Sequence, residues 1–207
     1  MFYNWIGMNP SEEIVADYLQ SCGLTVGRFS KAEMRQGRTP DFRVLRGADL
    51  VFYCEVKNAQ EDLWLDAQSK TAPEGSLYGG SRPDPVYNRV ANYVHSAARQ
   101  FRAVNRDAQV PNVLAIINED RMAGFADLRS VLTGNFYSDE GPPDPIFRNI
   151  SEGRIREDRF RIHLYLWFDR GKSRPHMVFS QSNPDHDAAL CRHFGVRPDQ
   201  IKQFSRA

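Results

Sequence analysis

The sequence has few cysteines and no long hydrophobic run. Its three cysteines are an odd number, widely spaced, and each lies within an apolar pattern. This favours reduced thiols in a cytoplasmic protein over a disulfide framework. No apolar stretch approaches the roughly 18 residues that a membrane span requires. The first residues, MFYNWIGMNPSEE, also lack the basic and long apolar regions of a signal peptide. We therefore expect a cytoplasmic protein without a membrane partner.

The chain also has little net charge and little lysine. Its formal net charge is +1, which by itself does not indicate a protein that binds polyanions, yet 22 of the 27 basic residues are arginine. Arginine binds phosphate and carboxylate through two parallel hydrogen bonds, although a genome rich in G and C would produce the same bias. The 41% hydrophobic and 26% charged residues predict a single domain over residues 1–207 with a substantial core.

Hydrophobic periodicity and turn residues divide the chain into helices and strands. Asn9 and Pro10 predict the start of a first helix, and Gly23 predicts its end. The expected elements are helix 10–22, strand 24–29, a polar loop at 30–39, strands 41–45 and 50–57, a loop at 66–85, helix 86–106, strand 112–118, strands 160–168 and 176–181, and helix 184–194. This order predicts an α/β fold with a central mixed β-sheet flanked by helices.

The stretch TPDFRVLRGADLVFYCEVKNAQ, residues 39–60, predicts a hairpin with charged residues near one end. Because successive side chains of a strand alternate between the two faces of a sheet, the side chains of the second strand should divide between those faces. The sets are Phe52, Cys54 and Val56 on one face, and Val51, Tyr53, Glu55 and Lys57 on the other. If the turn pairs Arg46 with Asp49 or Leu50, Asp41 lies opposite Cys54 or Glu55. Asp41, Glu55 and Lys57 are then expected at the same end of the hairpin.

These three residue types suit metal-assisted hydrolysis of a phosphodiester. Two neighbouring carboxylates repel each other unless a cation lies between them. Carboxylate oxygens, a backbone carbonyl and water are the ligands that Mg²⁺ prefers. A lysine beside them can orient a water molecule or stabilise charge that develops on a phosphate. The alternatives are an ion pair between Glu55 and Lys57 on an exposed sheet edge and a turn role for Asp41.

Pro40-Asp41, followed by Glu55-Val56-Lys57 on an apolar strand and preceded by an acidic helix, resembles the PD-(D/E)XK nuclease superfamily. The resemblance covers about residues 10–120 and implies a restriction-endonuclease-like core, which the strands and helix at 155–207 would complete or extend. It implies that Asp41, Glu55 and the Val56 carbonyl bind Mg²⁺ or Mn²⁺ and that Lys57 acts on the attacking water. Many members of the superfamily add a glutamate from the first helix.

Two glutamates of the first helix compete for that additional role. Glu12 is one turn from Val15 and Ala16 and therefore borders the predicted buried face, whereas Glu13 lies on the solvated face. We choose Glu12 as the fourth catalytic and metal-binding residue. Glu12 also stands three residues after Asn9, so it fits a helix-capping role as well.

Two groups of basic residues are candidates for contact with nucleic acid. The predicted long helix carries a stripe opposite its apolar face, formed by His95, Arg99, Arg102 and Arg106. The residues before Asp41 include a second group, Arg28, Lys31, Arg35 and Arg38. Cationic side chains so arranged bind the phosphate backbone. For the helix stripe, a solvated helix face explains the same pattern.

The residues and the resemblance together predict a divalent-metal-dependent nuclease, most simply a DNA endonuclease with Mg²⁺ or Mn²⁺ as its cofactor. Two alternatives remain open. An RNA-directed nuclease would use the same residues on a different substrate, and an inactive nucleic-acid-binding or assembly module would keep the fold without cutting. A small core that must cut two strands is also expected to form a homodimer or to use a protein partner.

Overall fold

A computed structural model describes residues 8–60, 70, 73, 75, 86–137, 142–146, 148–155 and 157–201. Within these residues lie five α-helices and eight β-strands. The helices are α1 (Pro10–Ser21), α2 (Lys31–Gln36), α3 (Val86–Val104), α4 (Phe125–Thr133) and α5 (Pro184–Phe194). The strands are β1 (Thr25–Arg28), β2 (Phe42–Arg46), β3 (Asp49–Ala59), β4 (Asn112–Asn118), β5 (Asn135–Phe136), β6 (Asp144–Pro145), β7 (Leu164–Phe168) and β8 (His176–Phe179).

Six strands form one mixed sheet in the order β1-β2-β3-β4-β7-β8, and β5 pairs with β6 in a separate two-stranded sheet. Strand β2 is antiparallel to both of its neighbours, β1 and β3. Strands β3, β4 and β7 are parallel, and β8 is antiparallel to β7. Parallel neighbours require a crossover, and α3 and α4 lie in the two crossovers. The predicted α/β fold, with a central mixed sheet flanked by helices, is confirmed.

The sheet is covered on both faces. Helices α1 and α5 pack on one face, which we call the α1 face, and α3 and α4 pack on the other, the α3 face. All seven residues of β4 are buried because this central strand is covered on both sides. The predicted apolar stripe of α3 is buried at Val90, Val94, Ala97 and Phe101, and these residues anchor the helix on its face.

One local prediction was wrong: residues 31–36, expected within a loop, form helix α2. Ser30 caps this helix by accepting a hydrogen bond from the Glu33 N–H, and the Glu33 carboxylate accepts from the Ser30 N–H in return. Arg43 of β2 then holds the helix against the sheet, with its Nη2 2.5 Å from Glu33 Oε1 and its guanidinium 3.9 Å from the centre of the Phe29 ring.

A β-bulge sets the register of the β2–β3 hairpin. Arg46 pairs with Asp49, and without a bulge this register would place Asp41 opposite Cys54. Instead the pairing shifts by one residue between Val44 and Leu45, so Phe42 pairs with Cys54 and Asp41 comes opposite Glu55. The placement of Val51 was therefore predicted wrongly. It has no partner on β2 and packs with the core of the α1 face rather than on the face of Tyr53.

Several other expectations concern the rest of the chain. The expected loop at 66–85 lies outside the described residues except for residues 70, 73 and 75. The three cysteines are free thiols, as predicted. None of the described helices is both long enough and apolar enough to cross a membrane. Helix α4 and the small β5–β6 sheet were not expected from the sequence.

Candidate active site at the end of the β2–β3 hairpin

The candidate site lies at the start of β2, where β3 extends beyond the first residue of β2. Asp41 immediately precedes β2 and is linked to β3 by two hydrogen bonds. Its N–H donates to Glu55 Oε2 at 3.1 Å, and its Oδ2 accepts from the Val56 N–H at 2.7 Å. Each of these carboxylates is thus bound to the backbone on the other strand. The reciprocal pair fixes the position of Asp41 and Glu55 before any ligand binds.

Lys57 completes the group that the sequence predicts at this end of the hairpin. Its Nζ lies 2.5 Å from Glu55 Oε1, and the side-chain exposure of the two residues is 20% and 2% respectively. Glu55 and Lys57 lie one pleat apart on the α3 face, as alternation requires. An ion pair on an exposed edge does not describe this geometry, because Glu55 is buried. The structure therefore brings Asp41, Glu55 and Lys57 together, while their roles remain predictions.

The Val56 carbonyl points toward the Asp41 side of β3. Successive residues of a strand direct their backbone polar groups to alternate sides. The Ala59 carbonyl accepts from the Glu119 N–H at 2.8 Å, so residue 59 faces β4 and residue 56 faces away from it. The hydrogen bond from the Val56 N–H to Asp41 agrees with that direction. Because β2 begins only at Phe42, this carbonyl points past the first residue of β2.

The electrostatics of the site indicate an excess of negative charge. Burial and, to a smaller extent, the neighbouring Asp41 raise the pKa of Glu55 to about 8, although Lys57 and Gln100 act in the opposite direction. Burial likewise raises the pKa of Glu12, and Asp41 adds to that increase despite the opposing effect of Arg28. Asp41 thus acts on two buried carboxyl groups that lie on different elements. A cation bound among them would relieve this repulsion.

The two carboxylate oxygens of Glu12 have different surroundings: one takes part in the cap of α1, and the other does not. Asn9 caps α1 by accepting from the Glu12 N–H at 3.0 Å, and Asn9 Nδ2 donates to Glu12 Oε1 at 2.8 Å. Glu12 Oε2 lies 3.3 Å from Arg28 Nη2 but is buried without a hydrogen bond from any described residue. The capping and ligand roles therefore use different oxygens. Glu13 is exposed, which agrees with the choice of Glu12 as the inward residue.

Gln100 of α3 belongs to the site, and sequence reasoning missed it. Its Oε1 accepts from Lys57 Nζ at 3.4 Å, and its Nε2 donates to the Thr39 carbonyl at 3.0 Å. Its side chain is also near enough to Glu55 to oppose the rise in the pKa of that carboxyl group. Gln100 consequently connects the long helix, the residue pair Glu55–Lys57 and the segment before Asp41. A glutamine inside a helix gives no local signal of such a role, because the contacts depend on how α3 crosses β3.

The residues at this site fit a hard divalent cation. Carboxylate and carbonyl oxygens suit Mg²⁺ or Mn²⁺ better than softer metals. The raised pKa of Glu55 persists although Lys57 lies beside it, and the buried Oε2 of Glu12 accepts no hydrogen bond from a described residue although Arg28 is near. A bound cation would add to the positive charge beside both carboxyl groups. In the described part of the chain, no three His, Cys, Asp or Glu side chains are already arranged to hold a metal ion. The donors that fit are therefore two carboxylates and one carbonyl, with Glu12 close by.

The first group of predicted phosphate-binding residues lies along the approach to Asp41. Lys31 and Arg35 are exposed on α2, and Arg38 is exposed in the segment that leads to Asp41. None of these three forms an ion pair with another described residue. Arg28 differs from them, because its guanidinium pairs with Glu12 beside the carboxylates. The structure thus offers three exposed cationic side chains near the site, and a fourth that belongs to the site itself.

The second group, the stripe on α3, lies away from Asp41 and Glu55. His95 Nδ1 is 2.6 Å from Asp158 Oδ2, and Arg102 pairs with the other oxygen of Asp158, so the two side chains contact the 3₁₀ turn at Asp158–Arg161. Arg99 is exposed between them, and Arg106 lies beyond the end of the helix. Gln100 faces the site from another side of the same helix. The structure therefore separates His95, Arg99 and Arg102 from the candidate site.

No protein-family model, curated protein or solved structure matches this chain. The function is therefore argued from the chemistry of the candidate site.

Proposed function

We propose that this protein is a divalent-metal-dependent nuclease, with DNA as its favoured substrate, on a restriction-endonuclease-like core. The observation that carries the proposal is the fixed pair of Asp41 and Glu55, each held by the backbone of the other strand, with Lys57 beside them. The mixed sheet with helices on both faces is compatible with the core that the resemblance implies. Burying such a pair has an electrostatic cost, so a functional reason for it is expected.

In this proposal the oxygens of Asp41 and Glu55 and the Val56 carbonyl hold Mg²⁺ or Mn²⁺, and Glu12 Oε2 is the additional donor. A bound divalent cation would stabilise charge on the phosphate and lower the pKa of a bound water. Lys57 supplies a fixed ammonium group beside these carboxylates, where it can donate to the attacking water or to a phosphate oxygen. Gln100 and Glu55 hold that ammonium in place. Exposed Lys31, Arg35 and Arg38 would contact the approaching phosphate backbone.

The proposal predicts cleavage that requires a divalent cation. Purified protein should nick or cut plasmid DNA in Mg²⁺ or Mn²⁺, and excess EDTA should stop the reaction, because the oxygen donors need a hard cation. The products are measured by gel electrophoresis, with linear DNA and RNA of the same sequence tested in parallel. Cleavage of RNA alone would identify an RNA-directed nuclease, and cleavage unaffected by EDTA would contradict the metal-dependent mechanism.

A second candidate is an assembly or nucleic-acid-binding module that does not cut. One observation favours it: Lys57 is already paired with Glu55, and Glu12 contacts both Asn9 and Arg28. The charges of the site are therefore partly neutralised without a metal ion. Calorimetry with MgCl₂ separates the two candidates. Binding of nucleic acid without binding of millimolar metal would favour the module, whereas metal binding that depends on Asp41 would favour the nuclease. A homodimer or a protein partner remains a prediction for either candidate.

The role of Glu12 can be tested against its neighbour. Glu12→Gln keeps an oxygen that can accept from Asn9 but removes the charge, so we expect the affinity for Mg²⁺ to fall at least about tenfold with little change in melting temperature. Calorimetry measures the affinity, and circular dichroism measures the melt. Glu13→Gln is the matched control, because it removes the same charge from the exposed side of α1. Equal affinities for Glu12→Gln and wild type would leave Glu12 with only its capping role.

A further inference from the structure

Helix α2 is an exposed element between two fixed segments of the chain. None of its six residues is buried. Phe29 before the helix is 7% exposed, and Pro40 after it is also buried, so both ends of the segment are anchored in the domain. Helices of this length are not stable by themselves in water. The capping residues and the anchored ends therefore hold α2 in a defined position shortly before Asp41.

The side of α2 that faces the sheet is formed by Glu33. Its carboxylate accepts from the Ser30 N–H and hydroxyl, each at 2.8 Å, and pairs with Arg43 of β2. These contacts lower the pKa of Glu33 to about 2, with the hydrogen bond from Arg43 as the largest cause. Glu33 is the one acidic residue of α2, and at neutral pH its charge is balanced by Arg43.

The opposite side of α2 carries an apolar residue beside two cations. Lys31, Met34 and Arg35 stand at positions i, i+3 and i+4, so they share one face of the helix. All three are exposed, and the exposed fraction of Met34 is 52%. Neither Lys31 nor Arg35 forms an ion pair with another described residue. We call these three residues the Met34 surface. It carries two positive charges and no carboxylate.

The Met34 surface fits the minor groove of DNA better than it fits phosphate alone. Cationic side chains bind the phosphate backbone, but an exposed methionine adds nothing to such contacts. Proteins that bend DNA combine basic residues with an apolar wedge, methionine among them, which enters between base steps from the minor groove. Side chains one helical turn apart have Cβ atoms about 5–6 Å apart, and the minor groove is about 6 Å wide. Lys31 and Arg35 are therefore spaced to reach both phosphate backbones that border the groove.

The Met34 surface is close enough to the proposed active site to contact the same DNA. Gln36, the last residue of α2, is five residues before Asp41. An extended chain spans at most about 3.6 Å per residue, so these two residues are no more than about 18 Å apart. DNA rises about 3.4 Å per base pair, so this length corresponds to about five base pairs. Arg38, which is also exposed, lies in the intervening segment and extends the positive charge toward Asp41.

Resting on the proposed nuclease function, we propose that Met34 inserts between two base pairs of the DNA substrate from the minor groove, while Lys31 and Arg35 bind the phosphates beside that step. The insertion partly unstacks the bases and bends the duplex near the proposed active site. Unstacking is easiest at TA and CA steps and at mismatches, so the preference among substrates comes from the deformability of DNA and not from hydrogen bonds to bases.

The experiment measures how binding depends on the ease of unstacking. Fluorescence anisotropy in EDTA, where metal-dependent cleavage cannot occur, gives the affinity of the full chain for a paired duplex and for the same duplex with one mismatch. A 2-aminopurine base beside the mismatch reports unstacking through its fluorescence. Wild-type protein should bind the mismatched duplex about tenfold more tightly, because a mismatch lowers the cost of unstacking. The 2-aminopurine fluorescence should rise on binding.

Met34→Ala should reduce that preference to less than about twofold and abolish the rise in fluorescence, because the wedge is lost. Alanine is the best helix former and Met34 is not buried, so α2 should remain folded. Met34→Leu keeps an apolar side chain of similar size and should keep the preference. Met122→Ala is the matched control, because Met122 is 60% exposed but lies between β4 and α4. It should bind both duplexes as the wild type does.

Lys31→Ala/Arg35→Ala separates the cations from the wedge. Loss of two phosphate contacts should weaken binding to both duplexes alike and reduce the slope of log K against log[salt] by about 1.8. The preference for the mismatch should remain, because it depends on Met34. If Met34→Ala instead weakened binding to both duplexes equally, Met34 would be an ordinary surface contact and the proposal would be overturned.

Two further results would overturn the proposal: equal affinity of the wild type for the two duplexes, and loss of the preference in Met122→Ala. Cleavage assays in Mg²⁺ keep these results apart from the proposed function. Metal-dependent cleavage without a mismatch preference would overturn only the role of Met34, whereas a preference that depends on Met34 without any cleavage would overturn only the nuclease proposal.

Discussion

Asp41→Asn should reduce the rate of Mg²⁺-dependent DNA cleavage by more than about 100-fold while leaving the fold intact. The asparagine oxygen can still accept from the Val56 N–H, and its backbone N–H can still donate to Glu55, so the hydrogen bonds that fix the hairpin remain. The substitution removes the negative charge that a cation requires. Loss of groups that only support a metal ligand commonly costs about 10–100-fold, so loss of the ligand itself should cost more.

Asp49→Asn is the matched control for this substitution. Asp49 is an exposed residue at the turn end of the same hairpin, so its replacement removes the same charge far from Glu55. Single-turnover cleavage and thermal melts should be measured for both variants. If Asp41→Asn cut DNA at the wild-type rate, Asp41 would not be a metal ligand and the assignment of the site would fail.

Lys57→Ala supplies an independent test of the same site, because the role proposed for Lys57 is that of a donor and not of a ligand. We expect cleavage to fall by about 10²–10³-fold, as for other fixed donors to a developing charge, with a smaller effect on DNA binding. The variant also leaves Glu55 buried without its cationic partner. Its melting temperature must therefore be compared with the wild type, and the rate compared only under conditions where both are folded.

The placement of these residues was predictable in part because strand alternation depends only on sequence spacing. Glu55 and Lys57 had to share a face whatever the register. The position of Asp41 depended on a bulge at Val51, and nothing in the sequence locates that bulge. Two registers were therefore open, and the bulge selected the one that places Asp41 opposite Glu55. Glu12 was assigned to the inner side of α1 because helical periodicity is equally local.

Features that depend on tertiary packing were predicted less well. The basic stripe of α3 was recognisable from its spacing, but the spacing does not show which segment packs against it. Asp158 comes more than fifty residues after Arg102 and binds both Arg102 and His95. Helix α2 is a different case, because the Ser30 and Glu33 capping pair was visible in the sequence and outweighs the polar composition of the segment.

Glu55→Gln should remove most of the pH dependence of metal-free stability and the effect of Mg²⁺. Burial and Asp41 raise the pKa of folded Glu55 from 4.5 to about 8. Between those values the folded protein holds a proton that the unfolded chain releases, so the free energy of unfolding falls as pH rises and levels off above the folded pKa. In EDTA the wild type should lose up to a few kcal/mol across this range, and Glu55→Gln should lose much less.

The same carboxyl group links protonation to metal binding. In the proposed site Mg²⁺ would bind the ionised carboxylate, so it would have to displace the proton at neutral pH but not at high pH. Thermal melts with and without millimolar Mg²⁺ should therefore show a stabilisation that is larger at about pH 9 than at about pH 6. Glu13→Gln, which removes an exposed carboxylate, should keep that trend. A Mg²⁺ effect that is independent of pH, or that persists in Glu55→Gln, would place the ion elsewhere, because only a buried carboxylate with a raised pKa makes protons and Mg²⁺ compete in this range.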